Sequence, residues 1–221
     1  MKYKSVFDII GPVMVGPSSS HTAGAARIGR VARSFFGRQP KKAVITFYGS
    51  FAKTYKGHGS DVATVAGILD FDTFDLRLKD SLAIAKDLNI EVKLEASDEP
   101  TDHPNTSRIH LTDENGSVEV VGVSIGGGKI EIIEANGFPL KISGEAPTLM
   151  ILHEDRYGMI AGVSNILTKY QMNIGHMELS RRERGREALM VIEVDSIISD
   201  KIVEEIAQMP HILDVSVLSP N

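Results

Sequence analysis

The sequence predicts an α+β chain built in two parts, and three observations carry that prediction. A short Gly/Pro stretch, Lys141 to Pro147, lies between two apolar regions. The region after it, 148–221, changes apolar period in the order β-α-β-β-α-β. The region before it, 1–143, alternates strands and helices with loops unusually rich in Gly, Ser and His.

In the first region Ala43 to Gly49 reads as a strand and Asp61 to Leu69 as a helix. Ser81 to Leu88 reads as another helix, with Leu82, Ala85 and Leu88 on one side. Ile90 to Leu94, Ser107 to Thr112 and Ser117 to Val123 follow as strands, the last two joined by an Asn115-Gly116 hairpin turn. Lys129 to Glu134 and Leu140 to Ile142 complete a second β region.

In the second region Thr148 to His153 is a buried strand, and Ile160, Val163, Leu167 and Tyr170 recur at helical spacing. Ile174 to Leu179 and Ala188 to Val194 are strands joined by the charged 181–187 hairpin. Ile202, Val203, Ile206 and Ala207 mark a second helix, and Leu213, Val215 and Val217 alternate as a last strand. Such an order places two helices on one face of an antiparallel sheet, the ferredoxin-like arrangement.

Composition narrows the function classes. With 221 residues, 42% of them hydrophobic, each part is long enough to bury a core. A net charge of −5 argues against a nucleic-acid or anionic-membrane binder. No apolar run approaches the roughly 20 residues of a membrane span, and the N-terminus lacks the apolar core of a signal peptide, so the expected compartment is the cytoplasm. Cysteine is absent, which removes disulfides, a thiol nucleophile and any thiolate for a metal cluster. No two histidines have His-x-x-x-His spacing, so no metal site is expected within the chain.

Four polar loops hold the chemistry. Gly16-Pro17-Ser18-Ser19-Ser20-His21-Thr22 opens a helix with Ile28, Val31 and Phe35 on its core face. An N-cap needs one Ser or Thr; this run offers several hydroxyls and free N–H groups at the positive end of a helix dipole, a fit for a carboxylate or phosphate. The second loop is Lys56-Gly57-His58-Gly59-Ser60-Asp61, where a Gly-flanked His reaches a ligand or is a turn His capped by Asp61. The third is Thr101-Asp102-His103-Pro104-Asn105-Thr106. The fourth, Ser124-Ile125-Gly126-Gly127-Gly128-Lys129, resembles a phosphate cradle but lacks the Gly-Lys-Ser/Thr of a P-loop. His110, His153, His176 and His211 sit on or beside apolar strands and read as structural.

Region 148–221 resembles an ACT domain, most specifically in the strand followed by Glu154-Asp155-Arg156-Tyr157-Gly158 and a helix. That family commonly has Asp and Gly at this turn and usually Pro before the Gly, where this chain has Tyr157. The resemblance implies either an amino-acid effector held at Asp155 and Gly158 or a dimerisation or docking surface.

In this order, the Ser18–Thr22 loop, Tyr48-Gly49-Ser50 leading to Gly57-His58-Gly59-Ser60-Asp61, His103-Pro104-Asn105 and Ser124 to Gly128 resemble the β portion of bacterial iron–sulfur L-serine dehydratases. With the ACT-like tail the resemblance covers essentially the whole chain. It implies a lyase converting L-serine to pyruvate and ammonia with a [4Fe–4S] cluster and no pyridoxal phosphate. Since cluster iron is normally held by thiolates, the cysteines would belong to a partner α chain, with the active site at the interface. An open iron position would then polarise the serine hydroxyl.

The resemblance further implies that Ser18, Ser19, Ser20 and Thr22 bind the substrate carboxylate. His58 with Ser60, and His103 with Asn105, would surround the amino group and α-carbon. His58 is the first choice for general base, because a near-neutral imidazole suits proton transfer; His21 and His103 are alternatives. Some relatives carry a second His where this chain has Gly59. The first region also resembles the anion-binding allosteric domain of some phosphoglycerate dehydrogenases, which supports a competing reading as a regulatory, amino-acid-sensing subunit without catalytic residues.

Overall fold

The computed structural model describes residues 13–219. The chain divides into two compact units between Ile133 and Glu134.

The first unit has five strands and four helices in the chain order α1 (Gly24–Phe36), β1 (Lys42–Tyr48), α2 (Gly49–Thr54), α3 (Ser60–Ile68), α4 (Ser81–Asp87), β2 (Glu91–Ser97), β3 (Thr106–Asp113), β4 (Gly116–Gly126) and β5 (Lys129–Ala135), whose last two residues pass into the second unit. Its strands lie in the order β2-β1-β3-β4-β5. β1 runs parallel to β2 and antiparallel to β3, and β3 is antiparallel to β4. A parallel pair needs a long crossover, and residues 49–90, which contain α2, α3 and α4, supply it.

α1 buries Ala25, Ile28, Ala32 and Phe35, a 3-4-3 spacing that makes one continuous stripe. That stripe lies against β3 and β4, where Gly122 leaves room for Ile28. Phe47 on β1 is fully buried, a burial worth about 1.5–3 kcal/mol. α1 and α3 touch backbone to backbone. A Cβ on Gly29 would lie 2.2 Å from the Thr64 carbonyl oxygen, and one on Gly67 2.0 Å from that of Ala26.

The second unit contains β6 (Phe138–Ile142), β7 (Thr148–Glu154), α5 (Met159–Lys169), β8 (Ile174–Arg181), β9 (Glu187–Val194), α6 (Asp200–Ala207) and β10 (Ile212–Leu218). The sheet order β10-β7-β9-β8 is antiparallel throughout, as the β-α-β-β-α-β pattern requires of a ferredoxin-like module. Leu149, Ile151, Met190 and Ile192 point to one face, where Val163, Leu167, Ile202 and Ile206 of the two helices close the core. β6 packs across β8: Ser180 donates to the Pro139 carbonyl, Lys141 N–H donates to Glu178 (2.9 Å), and Arg182 stacks on the Phe138 ring. In sheet order β6 is also the edge strand beside β5. Among the described residues no helix is long and apolar enough to cross a membrane.

Two details differ from the sequence expectation. The helix expected to 88 ends at Asp87, so Leu88 is its cap and is 44% exposed, while Ser81 and Ala85 form the buried side. α2, six residues long, and a 3-10 turn over Leu76–Asp80 carry too few residues to show a period.

Candidate functional site

The serine run begins not with a plain α-turn but with a π-turn, Ser19–Ala23, leading into α1. Ser18 is its N-cap: its hydroxyl accepts from His21 N–H (3.2 Å). π-turns commonly mark functional sites because the wider ring turns side chains out of the helical register. Here it swings the His21 ring between two sets of hydroxyls. Ser20 Oγ and Ser18 Oγ lie 3.2 and 3.4 Å from Nδ1, and Ser50 Oγ lies 3.3 Å from Nε2.

His58 approaches from the loop ahead of α3. Its ring meets that of His21 edge to face, centroids 4.7 Å apart, and the Phe51 ring also packs on His21, at 5.2 Å. Thr22, buried, donates through its hydroxyl to the His58 carbonyl (3.1 Å) and ties the first loop to the second. Burial, and secondarily the charge of His58, push the His21 imidazole below its ordinary pKa and favour its neutral form. His58 itself is exposed. Asp61 does not cap it; that carboxylate accepts from Val62 N–H (2.8 Å), and burial raises its pKa. Gly59, with φ +71°, makes the turn into α3.

The third loop joins through main chain. Ser50 N–H donates to the Pro104 carbonyl (2.6 Å). Gly49, with φ +54°, passes so close that a Cβ would lie 2.6 Å from that oxygen. Within the loop, Asn105 N–H donates to His103 Nδ1 (3.1 Å). That bond makes Nδ1 the acceptor of the neutral ring and leaves the proton on Nε2. The fourth loop closes the set: Ser124 N–H donates to the Asn105 carbonyl (3.0 Å), and the Ser124 side chain lies against Gly24, at the start of α1.

All four loops singled out in the sequence therefore come together at the N-terminal ends of α1 and α3. His21, His58, Ser18, Ser20, Thr22 and Ser50 are linked directly, and His103 and Asn105 are joined through Pro104. Ser19 is half-buried in the π-turn. Ser60 lies fully buried at the first position of α3, and its hydroxyl has no partner among the described residues. The three glycines 126–128 all have positive φ and form the turn from β4 to β5, with Arg27 donating to the Gly128 carbonyl (2.9 Å). That segment is a hairpin braced by α1, and a phosphate cradle is not needed to explain it. Ser50 and the Pro104 carbonyl were not given roles from sequence; the signal available was a Gly-Ser pair directly at a strand end.

In the second unit, Asp155 is engaged by its own chain. It accepts from Gly185 N–H (2.8 Å) and from Arg181 (3.1 Å), which hold its carboxyl below the usual range. Gly158 has φ +86° and leads into α5. His153 is buried, with Nδ1 2.7 Å from the Glu154 carbonyl oxygen, while His211 pairs with the Glu154 carboxylate (3.0 Å). His176 is exposed on β8, and His110 is half-buried on β3.

The histidines and hydroxyls thus gather in an α+β unit that is followed by a ferredoxin-like module. Comparison with known proteins sharpens this. The family model for the serine dehydratase beta chain matches residues 5–100, and that for the ACT domain matches residues 148–211. The chain is 57% identical over 216 residues to the probable L-serine dehydratase beta chain of Bacillus subtilis, covering 98% of each. It is 36% identical over 200 residues to the L-serine dehydratase beta chain of Peptoniphilus asaccharolyticus, covering 90% of each. Over 144 residues it is 31% identical to D-3-phosphoglycerate dehydrogenase of Methanocaldococcus jannaschii, 65% of this chain and 27% of that one. The chain belongs to the serine dehydratase beta-chain family, with a C-terminal ACT domain.

Proposed function

We propose that this chain is the β subunit of a cytoplasmic, two-chain L-serine dehydratase, a lyase converting L-serine to pyruvate and ammonia, and that it supplies the acid–base groups of a site completed by an α chain. Its modules are a serine dehydratase β module over 1–143 and an ACT module over 148–221. The chain contains no cysteine, and among the described residues no three His, Asp or Glu side chains group as a metal site. It therefore does not fit as host of an iron–sulfur cluster, and the proposal assigns the [4Fe–4S] cysteines to the partner, with no pyridoxal phosphate involved.

The observation that carries the reading is how differently the three histidines are committed. A general base needs an unprotonated nitrogen within reach of the proton it removes. Both nitrogens of His21 face serine hydroxyls, and the bare nitrogen of His103 is taken by Asn105 N–H. His58, exposed on a Gly-flanked loop beside them, is the histidine suited to take the α-proton. His103 offers Nε2–H as a donor toward the substrate, with Asn105 beside it. The hydroxyls and first-turn N–H groups of Ser18, Ser19 and Ser20 receive the carboxylate, favoured by the helix dipole. Thr22 ties the first two loops together through the His58 carbonyl, and Ser60 keeps a buried hydroxyl without a partner among the described residues at the start of α3. Loss of the α-proton and of the β-hydroxyl as water leaves aminoacrylate, which takes up water and yields pyruvate and ammonia.

The test is His58→Ala in the assembled complex, scored by pyruvate formed from L-serine. A loss of roughly 10²-fold or more with the complex intact supports direct catalysis. A second reading rests on the resemblance of the first region to the allosteric domain of some phosphoglycerate dehydrogenases: the chain binds small amino acids and regulates its partner. That reading predicts a change confined to activation, with Asp155 and Gly158 as effector contacts.

A further inference from the structure

We propose that Ser50 is the positioning residue that sets the spacing between the His21–His58 pair and the His103–Asn105 loop. It would hold the pair through its hydroxyl and the loop through its main chain. The proposal rests on the reading of these loops as the serine site.

Ser50 is the second residue of α2, whose first-turn N–H groups have no acceptor within the helix. Its N–H goes to the Pro104 carbonyl (2.6 Å), and that of Phe51 reaches the same oxygen at 3.4 Å. The Ser50 carbonyl in turn accepts from the Thr54 hydroxyl (2.7 Å). Pro104 has a fixed φ, and Gly49 allows the close approach, so neither side of this contact can adjust freely. With its main chain held in this way, Ser50 presents its hydroxyl to His21 Nε2 at 3.3 Å.

The opposite nitrogen of that ring faces Ser18 and Ser20. Hydroxyls at both nitrogens fix the plane of the ring, and the ring edge sets where His58 rests, 4.7 Å away. Ser50 is thus hydrogen-bonded both to the His21 ring and to the third loop, 29 and 54 positions away in sequence. A chain of such contacts matters because misplacing a reacting group by about 1 Å costs up to about 10²-fold in rate.

Ser50→Ala removes only the hydroxyl and leaves the N–H bond to Pro104. In the full chain, we expect the His21 ring nitrogen resonances and tautomer ratio to change. In the complex with the α chain, kcat for L-serine is expected to fall roughly 10–100-fold, with KM within about twofold of wild type. Ser50→Thr, which keeps a hydroxyl, should recover most of the turnover and the wild-type ring signals. The proposal is overturned if His21 in Ser50→Ala is indistinguishable from wild type. It is also overturned if the ring signals change while kcat does not, or if Ser50→Thr regains the ring signals but not the rate. His58→Ala in the same complex tests the serine reading separately: wild-type turnover there would sink that reading, and the Ser50→Ala ring signals would still decide the tether.

Discussion

Replacing Gly67 by alanine probes the contact that brings the site together. α1 begins three residues after His21, and α3 begins two residues after His58, so the separation of these helices sets that of the two rings. On Gly67 the new Cβ would lie 2.0 Å from the Ala26 carbonyl oxygen and 2.7 Å from Arg30 N. A real Cβ essentially never comes within 3.0 Å of such an atom, and the obstructing atoms are helix backbone, which cannot rotate away. The helices must part by more than an ångström. At the next-to-last position of α3, alanine recovers at most about 1 kcal/mol of propensity over glycine; overpacking costs about 1–3 kcal/mol and sometimes more. With backbone on both sides the cost falls at or above the top of that range, leaving a net loss of about 2 kcal/mol. For a unit of 133 residues that corresponds to a fall in Tm of roughly 5–10 °C. Calorimetry of the full chain reads it directly, with Gly57→Ala, whose Cβ meets nothing nearer than 3.8 Å, as the control. A Gly67→Ala chain melting at or above the wild-type temperature would refute the close-packing argument.

Three further outcomes follow from the geometry. His21 is held below its ordinary pKa in the folded chain, so between that value and about 6.5 the unfolded chain binds more protons. The first unit is therefore expected to lose stability as pH falls below about 6.5, and urea midpoints at pH 7.5 and 5.5 should differ less in His21→Gln. Asp155 is depressed by Gly185 N–H and Arg181. Its contribution is present above the ordinary carboxylate pKa and lost as pH falls through the folded value, and Asp155→Asn should raise the hydrogen-exchange rate of the Gly185 amide. Gly158→Ala meets no steric obstacle but forces a side chain to φ +86°; it should cost about 1–2 kcal/mol, read as a lower urea midpoint for the second unit, with Gly158→Asn less affected.

The sequence showed the second unit almost completely, because each of its elements is amphipathic with a clear period and the connections are short. In the first unit the parallel pairing of β1 with β2 was not legible. Nothing in Lys42–Tyr48 or Glu91–Ser97 alone says that two strands about 49 residues apart will lie side by side. The four loops stood out through composition, since runs of Ser, Gly and His have no packing purpose. The tethers between them did not, because the Ser50 and Pro104 contacts are set by tertiary placement. Leu88 misled for a simpler reason: helical spacing ran one residue past the helix end.

The order in which these parts leave the ribosome has a consequence for when the site exists. Residues 18 to 58 bring two of its histidines and the Ser50 N–H that donates to the Pro104 carbonyl, but the second tie on the His103–Asn105 loop, from Ser124 N–H to the Asn105 carbonyl, forms only when β4 pairs with β3. The ACT segment, residues 148–211, comes later, and its 64 residues alone take about 3–13 s at 5–20 residues per second. During that time a nascent chain whose residues up to 129 have left the ribosome can carry the four-loop constellation while its ACT domain is still being synthesised. A partner that recognises the loops can engage the chain before any influence from the ACT domain is possible.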